Sequence, residues 1–406
     1  MENKTLRLRA HTVLTMCGDI FSPGEVLIQN GLIAEVGEKL SSQQGEEVLD
    51  FPNGILMPGL INAHCHLDYT CFKGLLPGNV PFGQWMKGVI PLKMKFTEED
   101  YRRSVEQGFE MLMQSGCTSV FNIEAFPDLL RFFPQAPLRT WWLLELLDIA
   151  RPPVASEALE EMLSKAILAT QESLGGVGLS PHAPYTVSKN LYQTMRELRK
   201  KHGFLWTTHL AESGDEQSMF RNAKGGMYDA LKGIGRDMSD CGQGTVFSQV
   251  VENLDPECLL VHMNELEEGD FARLKQSPMP IAYCPKSHAF FNHTRFPLER
   301  LQELGCNICI GTDSLASNDT LDLRAEIREA QQIYPEISAE TWLKMVTVNP
   351  AQVLRLKAGT LQPGAWADIA VFPFDEKNFS NQNPYEAIIQ STEKPLALLV
   401  SGERIL

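Results

Sequence analysis

The sequence predicts an α/β protein: a (β/α)8 TIM barrel with a small discontinuous β-sandwich built from both chain ends. Three observations lead there. The middle of the 406-residue chain alternates strand-like and helix-like segments. Both ends are β-rich and share one texture. No Gly-x-Gly-x-x-Gly follows the first central strand, as a doubly wound nucleotide-binding sheet would require; Gly74, Gly78 and Gly83 have the wrong spacing.

The elements follow in order. Leu6-Arg7-Leu8-Arg9-Ala10 alternates apolar and polar, and Gly24–Ile28 ends in an apolar β-branched run. Asn30-Gly31 is a hairpin turn between that run and Leu32–Val36. At the far end, Gly359–Leu361, Asp368–Phe372 and Leu396–Val400 read as short strands punctuated by Pro and Gly. Chain termini often lie close together, so residues 1–56 and 356–406 are expected to form one composite domain around a barrel of residues 57–355. Eight barrel strands are expected: Gly59–Ala63, Cys117–Asn122, Arg139–Leu144, Val177–Ser180, Phe204–Thr208, Cys258–Val261, Ile281–Cys284 and Asn307–Thr312. Helical patterns separate them, for example Glu98–Gln114 and Asn190–Lys201.

Composition narrows the partners. The net charge of −15 comes with no basic stripe, which argues against nucleic acid as a ligand. No stretch approaches the ~18 consecutive apolar residues of a membrane span, and Met1–Lys4 lacks the charged-then-apolar start of a secretory leader. The expected address is the cytoplasm. The nine cysteines are scattered and odd in number, which reads as reduced, mostly buried thiols. Cys306 and Cys309 form a Cys-x-x-Cys only in spacing, inside an apolar strand.

The chemistry sits where the barrel strands end. The first ends in His64-Cys65-His66, and residues two apart share one face of a strand. The fourth ends at His182, the fifth at His209 with Glu212 three residues on, the sixth at His262, and the eighth at Gly311-Thr312-Asp313-Ser314. Five of the nine histidines thus fall at the mouth where this fold builds its sites. His11, His202 and His293 read as ordinary polar residues.

These segments resemble the amidohydrolase superfamily, within it the cytosine, guanine and S-adenosylhomocysteine/methylthioadenosine deaminases and the related triazine hydrolases. The carrying stretches are Pro58–His66, Ser180–Tyr185, Thr208–Ser213, Val261-His262, Gly311–Ser314 and Pro363–Ile369, in the expected order over nearly the whole chain. The resemblance implies that His64, His66, His209 and Asp313 bind one divalent metal, Zn²⁺ or alternatively Fe²⁺, and the N/O donor set suits either. No lysine lies between Val177 and Tyr185, where two-metal relatives carry a bridging one, so a mononuclear site is expected. Glu145 has two readings, an extra ligand or a polar strand-end residue in reach of substrate.

By the same resemblance, the metal lowers the pKa of bound water toward ~7. Asp313 and His262 orient that water and accept its proton, and Glu212 shuttles the proton to a ring nitrogen and then to departing ammonia. His182 contacts the substrate ring. The stretch from Phe82–Met86 through Pro91–Lys93 resembles a lid in which nucleoside-deaminating relatives place a carboxylate just before the tryptophan; this chain has Gln84 there. Gln84, Trp85, His288 and Ser314 complete the expected substrate contacts, with lid closure as the plainer role for Trp85 and loop capping for His288.

The expected activity is metal-dependent hydrolytic deamination of an amino-substituted N-heterocycle, a purine or purine-nucleoside derivative. A same-scaffold hydrolase of another C–N or C–Cl bond is the alternative, and a non-catalytic scaffold the remote one. The partner is a small heterocycle, and a homo-oligomer enters only by analogy with the group.

Overall fold

A computed structural model describes residues 5–149, 155–374 and 383–406. Met1–Lys4, examined above for a leader, lies outside them. The strands run β1 (Thr5–Leu14), β2 (Ile20–Phe21), β3 (Gly24–Gln29), β4 (Leu32–Gly37), β5 (Glu47–Pro58), β6 (Leu60–His66), β7 (Cys117–Glu124), β8 (Arg139–Leu146), β9 (Gly175–Pro181), β10 (Leu205–Leu210), β11 (Leu259–His262), β12 (Ile281–Tyr283), β13 (Ile308–Ile310), β14 (Asp313–Ser314), β15 (Ile369–Pro373), β16 (Ala397–Val400) and β17 (Glu403–Arg404).

The central strands form one parallel sheet ordered β13-β12-β11-β10-β9-β8-β7-β6-β14. β13 and β14 belong to one chain run interrupted at Gly311-Thr312. The first part pairs with β12 and the second with β6, so the run closes the ring. Gly311 permits this closure: a Cβ there would sit 2.7 Å from the His64 carbonyl oxygen. Asn62 locks the same seam, accepting from the His64 and Thr312 amides and donating to Thr312 Oγ1. Every expected barrel strand is present, and nearly all their residues are buried, as strands covered on both faces require. The helix Glu98–Ser115 matches its pattern; Thr97 and Asp100 form its capping box and left-handed Gly116 ends it.

The chain ends build the second sheet, ordered β17-β16-β15-β5-β1-β3-β4, with β2 on β1. The Asn30-Gly31 hairpin joins β3 to β4 as expected. Gly359–Leu361 is a correction: it forms bends, not a strand. Gly359 lies at φ +79° with its α-carbon against the Thr347 carbonyl, and only the Leu361 amide reaches the sheet region, bonding Thr15 O. Chain passes from β5 into β6 through Gly59, whose amide bonds Asp368 O. Beside that crossing, buried Arg139 pairs with Asp368 at 2.5 Å and stacks 3.8 Å over the Trp366 ring, tying β8 to the C-terminal segment.

Candidate functional site

Residues at the ends of β6, β10, β11 and β14 converge on the barrel axis. His64 and His66, two apart on β6, share the inward face, while Cys65 turns into the core. Ligand atoms of His64, His66 and His209 lie within 4.8 Å of one another, and all three residues are buried. Asp313 Oδ1 is 3.5 Å from His64 Nε2 and 3.7 Å from His66 Nε2. Its Oδ2 accepts from Ser287 Oγ at 2.7 Å and Ser317 Oγ at 3.0 Å, which aims Oδ1 at the histidines.

The donor set fits a divalent ion. Both ring nitrogens of His64, and Nδ1 of His66, are buried without a hydrogen-bond partner, an arrangement folding avoids unless something else satisfies those atoms. His209 Nδ1 donates to the His182 carbonyl at 2.8 Å, so the lone pair on Nε2 is left for the cluster. Burial and the neighbouring rings hold His209 well below its ordinary pKa, and burial with His64 brings His66 down to about 3. These imidazoles are therefore neutral, the form that ligates. Burial works against ionised Asp313, but the nearby imidazoles of His64, His262 and His66 keep its carboxyl well below the usual range.

Glu212 follows β10 and is buried beside the cluster. Its Oε1 lies 3.6 Å from His262 Nε2. Burial, then Asp313 and Glu216, push its pKa well above 4.5. The Glu212 amide donates to Glu216 Oε2 at 2.8 Å, which ties the turn to the helix Gly214–Asn222. A buried carboxyl with a raised pKa, next to an imidazole, is equipped for proton transfer.

The remaining expected site residues divide. His182 Nδ1 is 2.7 Å from Thr186 Oγ1, and its Nε2 is 4.0 Å from Glu145 Oε1. Glu145 belongs to this polar group and not to the histidine cluster. Its Oε2 faces Lys93 Nζ at 3.7 Å; burial disfavours its charge, but His182 and Lys93 hold its pKa down to about 2. Ser314 is buried on β14 opposite His66. Trp85 packs on Phe82 and Phe291, with ring centroids 5.9 and 5.0 Å away, the lid-closing arrangement. Gln84 is exposed on the helix Phe82–Lys95 and its side chain makes no hydrogen bond to the cluster. His288 does not merely cap a loop: its Nε2 meets His262 Nδ1 at 3.3 Å.

Sequence reasoning gave no role to Ser287, Ser317, Thr186 or Lys93, nor to the buried acids Asp68 and Glu124. Ser287 lies between the expected strand Ile281–Cys284 and His288, so its place just past a barrel strand was the available signal. Glu124 ends β7 and Asp68 lies two residues past β6, the same positional signal, but neither is a histidine. Burial raises the Asp68 pKa to about 7 and Glu124 well above 4.5.

Comparison with known proteins matches the amidohydrolase family model over residues 55–405. The 5-methylthioadenosine/S-adenosylhomocysteine deaminase of Pyrococcus furiosus is 29% identical over 370 residues, covering 87% of this chain and 83% of the relative. The 5'-deoxyadenosine deaminase of Methanosarcina mazei is 28% identical over 375 residues, covering 88% and 82%. Among solved structures, Helicobacter pylori aminofutalosine deaminase in complex with methylthio-coformycin superposes with a TM-score of 0.87 at 22% identity, covering 98% and 100% of the two chains. Zinc-complexed atrazine chlorohydrolase from Arthrobacter aurescens gives 0.82 at 19% identity, covering 99% and 95%. At those identities the two structures establish a shared fold.

Proposed function

The chain belongs to the amidohydrolase family, and from that membership we propose that it is a metal-dependent hydrolase releasing ammonia from a purine nucleoside or related amino-substituted N-heterocycle. The names of its relatives at 26–29% identity support the nucleoside class. His64, His66, His209 and Asp313 would hold one divalent ion, and three imidazoles with one carboxylate suit zinc. Bound there, the ion would supply Lewis acidity that makes a water nucleophile available at neutral pH.

The chain's own residues supply the rest. Glu212 takes a proton from water and gives it to the ring nitrogen beside the attacked carbon; it then takes the second proton, from the added hydroxyl, and gives it to the amine, which leaves as ammonia. His182, with Nδ1 held by Thr186, turns Nε2 and the neighbouring Glu145 carboxylate toward the space above the cluster, where they contact the heterocycle or its substituent. The lid formed by Phe82, Trp85 and Phe291 keeps bulk water out. Ser314 lies within reach of the same space, whereas Gln84 would need the lid to shift. We assign the catalytic work to residues 57–355 and a supporting role to the sheet built from residues 1–56 and 356–406. All nine cysteines are free, and the one exposed thiol is Cys17, which suits a reducing compartment such as the cytoplasm.

The pairing of Glu212 with His262 carries this reading. Ammonia leaves only when protonated, and a buried carboxyl with a raised pKa next to the metal cluster is the group that does this. The test is an ammonia-release screen of zinc-loaded protein over 5'-methylthioadenosine, 5'-deoxyadenosine, adenosine, guanine, cytosine and an aminopteridine. Release from an adenosine derivative is expected. Silence across the panel, with zinc retained, overturns the reading in favour of a hydrolase with another leaving group.

A further inference from the structure

We propose that His288 is a positioning residue that fixes the tautomer of His262, so that His262 turns an N–H, and not a lone pair, toward Glu212. The inference deepens the deaminase reading above and rests on it for its kinetic arm only.

The two rings share one hydrogen bond, between His288 Nε2 and His262 Nδ1 at 3.3 Å. Two neutral imidazoles can make that bond in two ways, and the far nitrogens decide between them. His288 Nδ1 is buried and has no partner. A hydrogen there would be an orphaned buried donor, which structures avoid more strongly than an unfilled lone pair. The His288 hydrogen therefore sits on Nε2 and is donated to His262 Nδ1. With Nδ1 accepting, neutral His262 carries its own hydrogen on Nε2, which lies 3.6 Å from Glu212 Oε1.

Both rings are held where this requires. His288 lies on the helix Pro285–Phe291, its amide bonded to Cys284 O, with its ring against Tyr283 and Phe296. His262 sits at φ +75° at the end of β11, and the following amides of Met263 and Asn264 bond Leu210 O and Ala211 O. The N–H···N bond itself needs a lone pair on one ring, and with no hydrogen on His288 Nδ1 both rings are neutral in this arrangement. The consequence alters a role expected from the sequence. Neutral His262 presents no acceptor toward Glu212 and does not take up the proton of the attacking water. It donates a hydrogen bond to the oxygen that attacks, and Glu212 alone is the proton acceptor: a water O–H breaks as the Glu212 O–H forms.

The experiment compares three replacements. His288→Gln keeps an N–H donor near the Nε2 position, His288→Glu presents an acceptor, and His288→Leu presents neither. Selective ¹⁵N-histidine labelling reads the His262 tautomer by long-range ¹H–¹⁵N correlation, with or without substrate. Wild type and His288→Gln should show the hydrogen on Nε2, and His288→Glu should move it to Nδ1. With 5'-methylthioadenosine, the Glu and Leu variants should lose about 100-fold in kcat, the scale of one lost donor to a reacting oxygen, while KM stays within about twofold and Gln retains most activity. A wild-type hydrogen on Nδ1, or equal kcat for the Gln and Leu variants, overturns the proposal. If the Glu variant fails to fold, the wild-type spectrum and the Gln–Leu comparison decide. If 5'-methylthioadenosine is not turned over at all, the substrate reading fails, and the spectrum still decides the tautomer.

Discussion

Replacing Glu212 with Gln should separate catalysis from stability. The amide keeps the volume of the side chain but cannot shuttle a proton. General acid–base transfer contributes about 10²–10⁴-fold, or roughly 3–5 kcal/mol of barrier, and turnover should fall by that factor. Zinc should stay bound, because Glu212 lies outside the cluster of His64, His66 and His209. Stability should move the other way. Burial and the negative neighbours Asp313 and Glu216 raise the folded-state pKa of Glu212 well above 4.5. The folded protein therefore binds more protons than the unfolded chain above pH 4.5, and the contribution of this group to stability falls as pH rises toward its folded pKa. One such group costs at most about 1.4 kcal/mol per pH unit. The amide removes that slope, so the melting temperature of the variant should equal the wild type near pH 4.5 and exceed it at pH 8. Ammonia release, metal content and thermal melts at both pH values make the assay. A metal-loaded variant that keeps a tenth or more of wild-type turnover, about 1.4 kcal/mol or less of barrier, would refute the shuttle.

Metal stripping and reloading test the mononuclear site: one zinc per chain should bind, and at a free concentration ~100-fold above Kd it should add about 2.7 kcal/mol. At ~2.1 cal/mol/K per residue, that is roughly a 3 °C rise in melting temperature for a chain of 406 residues. Two tightly held ions, or no shift, would contradict the His64–His66–His209–Asp313 assignment. Glu216 offers a second pH test: burial lifts its pKa from 4.5 to about 8 against three backbone hydrogen bonds. Its contribution is full below pH 4.5 and is lost between about 4.5 and 8, so Glu216→Gln, with the amide nitrogen at the unpartnered Oε1 position, should flatten the decline in melting temperature over that window; an unchanged slope rules this out.

The barrel was legible because its strands are buried on both faces and end in chemistry. Cys258-Leu259-Leu260-Val261-His262 is an apolar run stopped by an imidazole, and the structure ends β11 at that histidine. The second sheet was less legible for a physical reason. β5 spans Glu47–Pro58 through Pro52-Asn53-Gly54, which reads as a turn. Its pairing with β1 jumps there from Ala10↔Phe51 to Thr12↔Ile55, so the three apparent breakers sit in an irregularity opposite His11 and the pairing resumes with its register shifted by two residues. Gly359–Leu361 shows the converse, a β-like string whose glycine is committed to a left-handed turn. At the site, the histidines and carboxyls at the strand ends were readable from the sequence. The contacts that aim them were not, because they join residues far apart in the chain: Ser287 to Asp313, Lys93 to Glu145, His288 to His262.

The backbone at the mouth explains why such contacts are needed. Ala211, His262, Met263 and Asp313 all have φ between +50° and +75°, a region that non-glycine residues adopt at a cost of order 1–3 kcal/mol each. All four fall at or just after the end of a barrel strand. A strand that simply continued would alternate its side chains and turn the next one away from the axis. A left-handed residue breaks that alternation at the last position, so His262 and Asp313 point at the cluster and the chain after Ala211 brings Glu212 back over it. Hydrogen bonds from the Met263, Asn264 and Glu265 amides to Leu210 and Ala211, and from Ser287 and Ser317 to Asp313, hold these turns. Donors and carboxylates fixed in this way before substrate arrives need little reorganisation during the reaction, which is where an enclosed polar site gains most of its effect. Removing the Ser287 and Ser317 hydroxyls should therefore relax Asp313 before it disturbs the barrel.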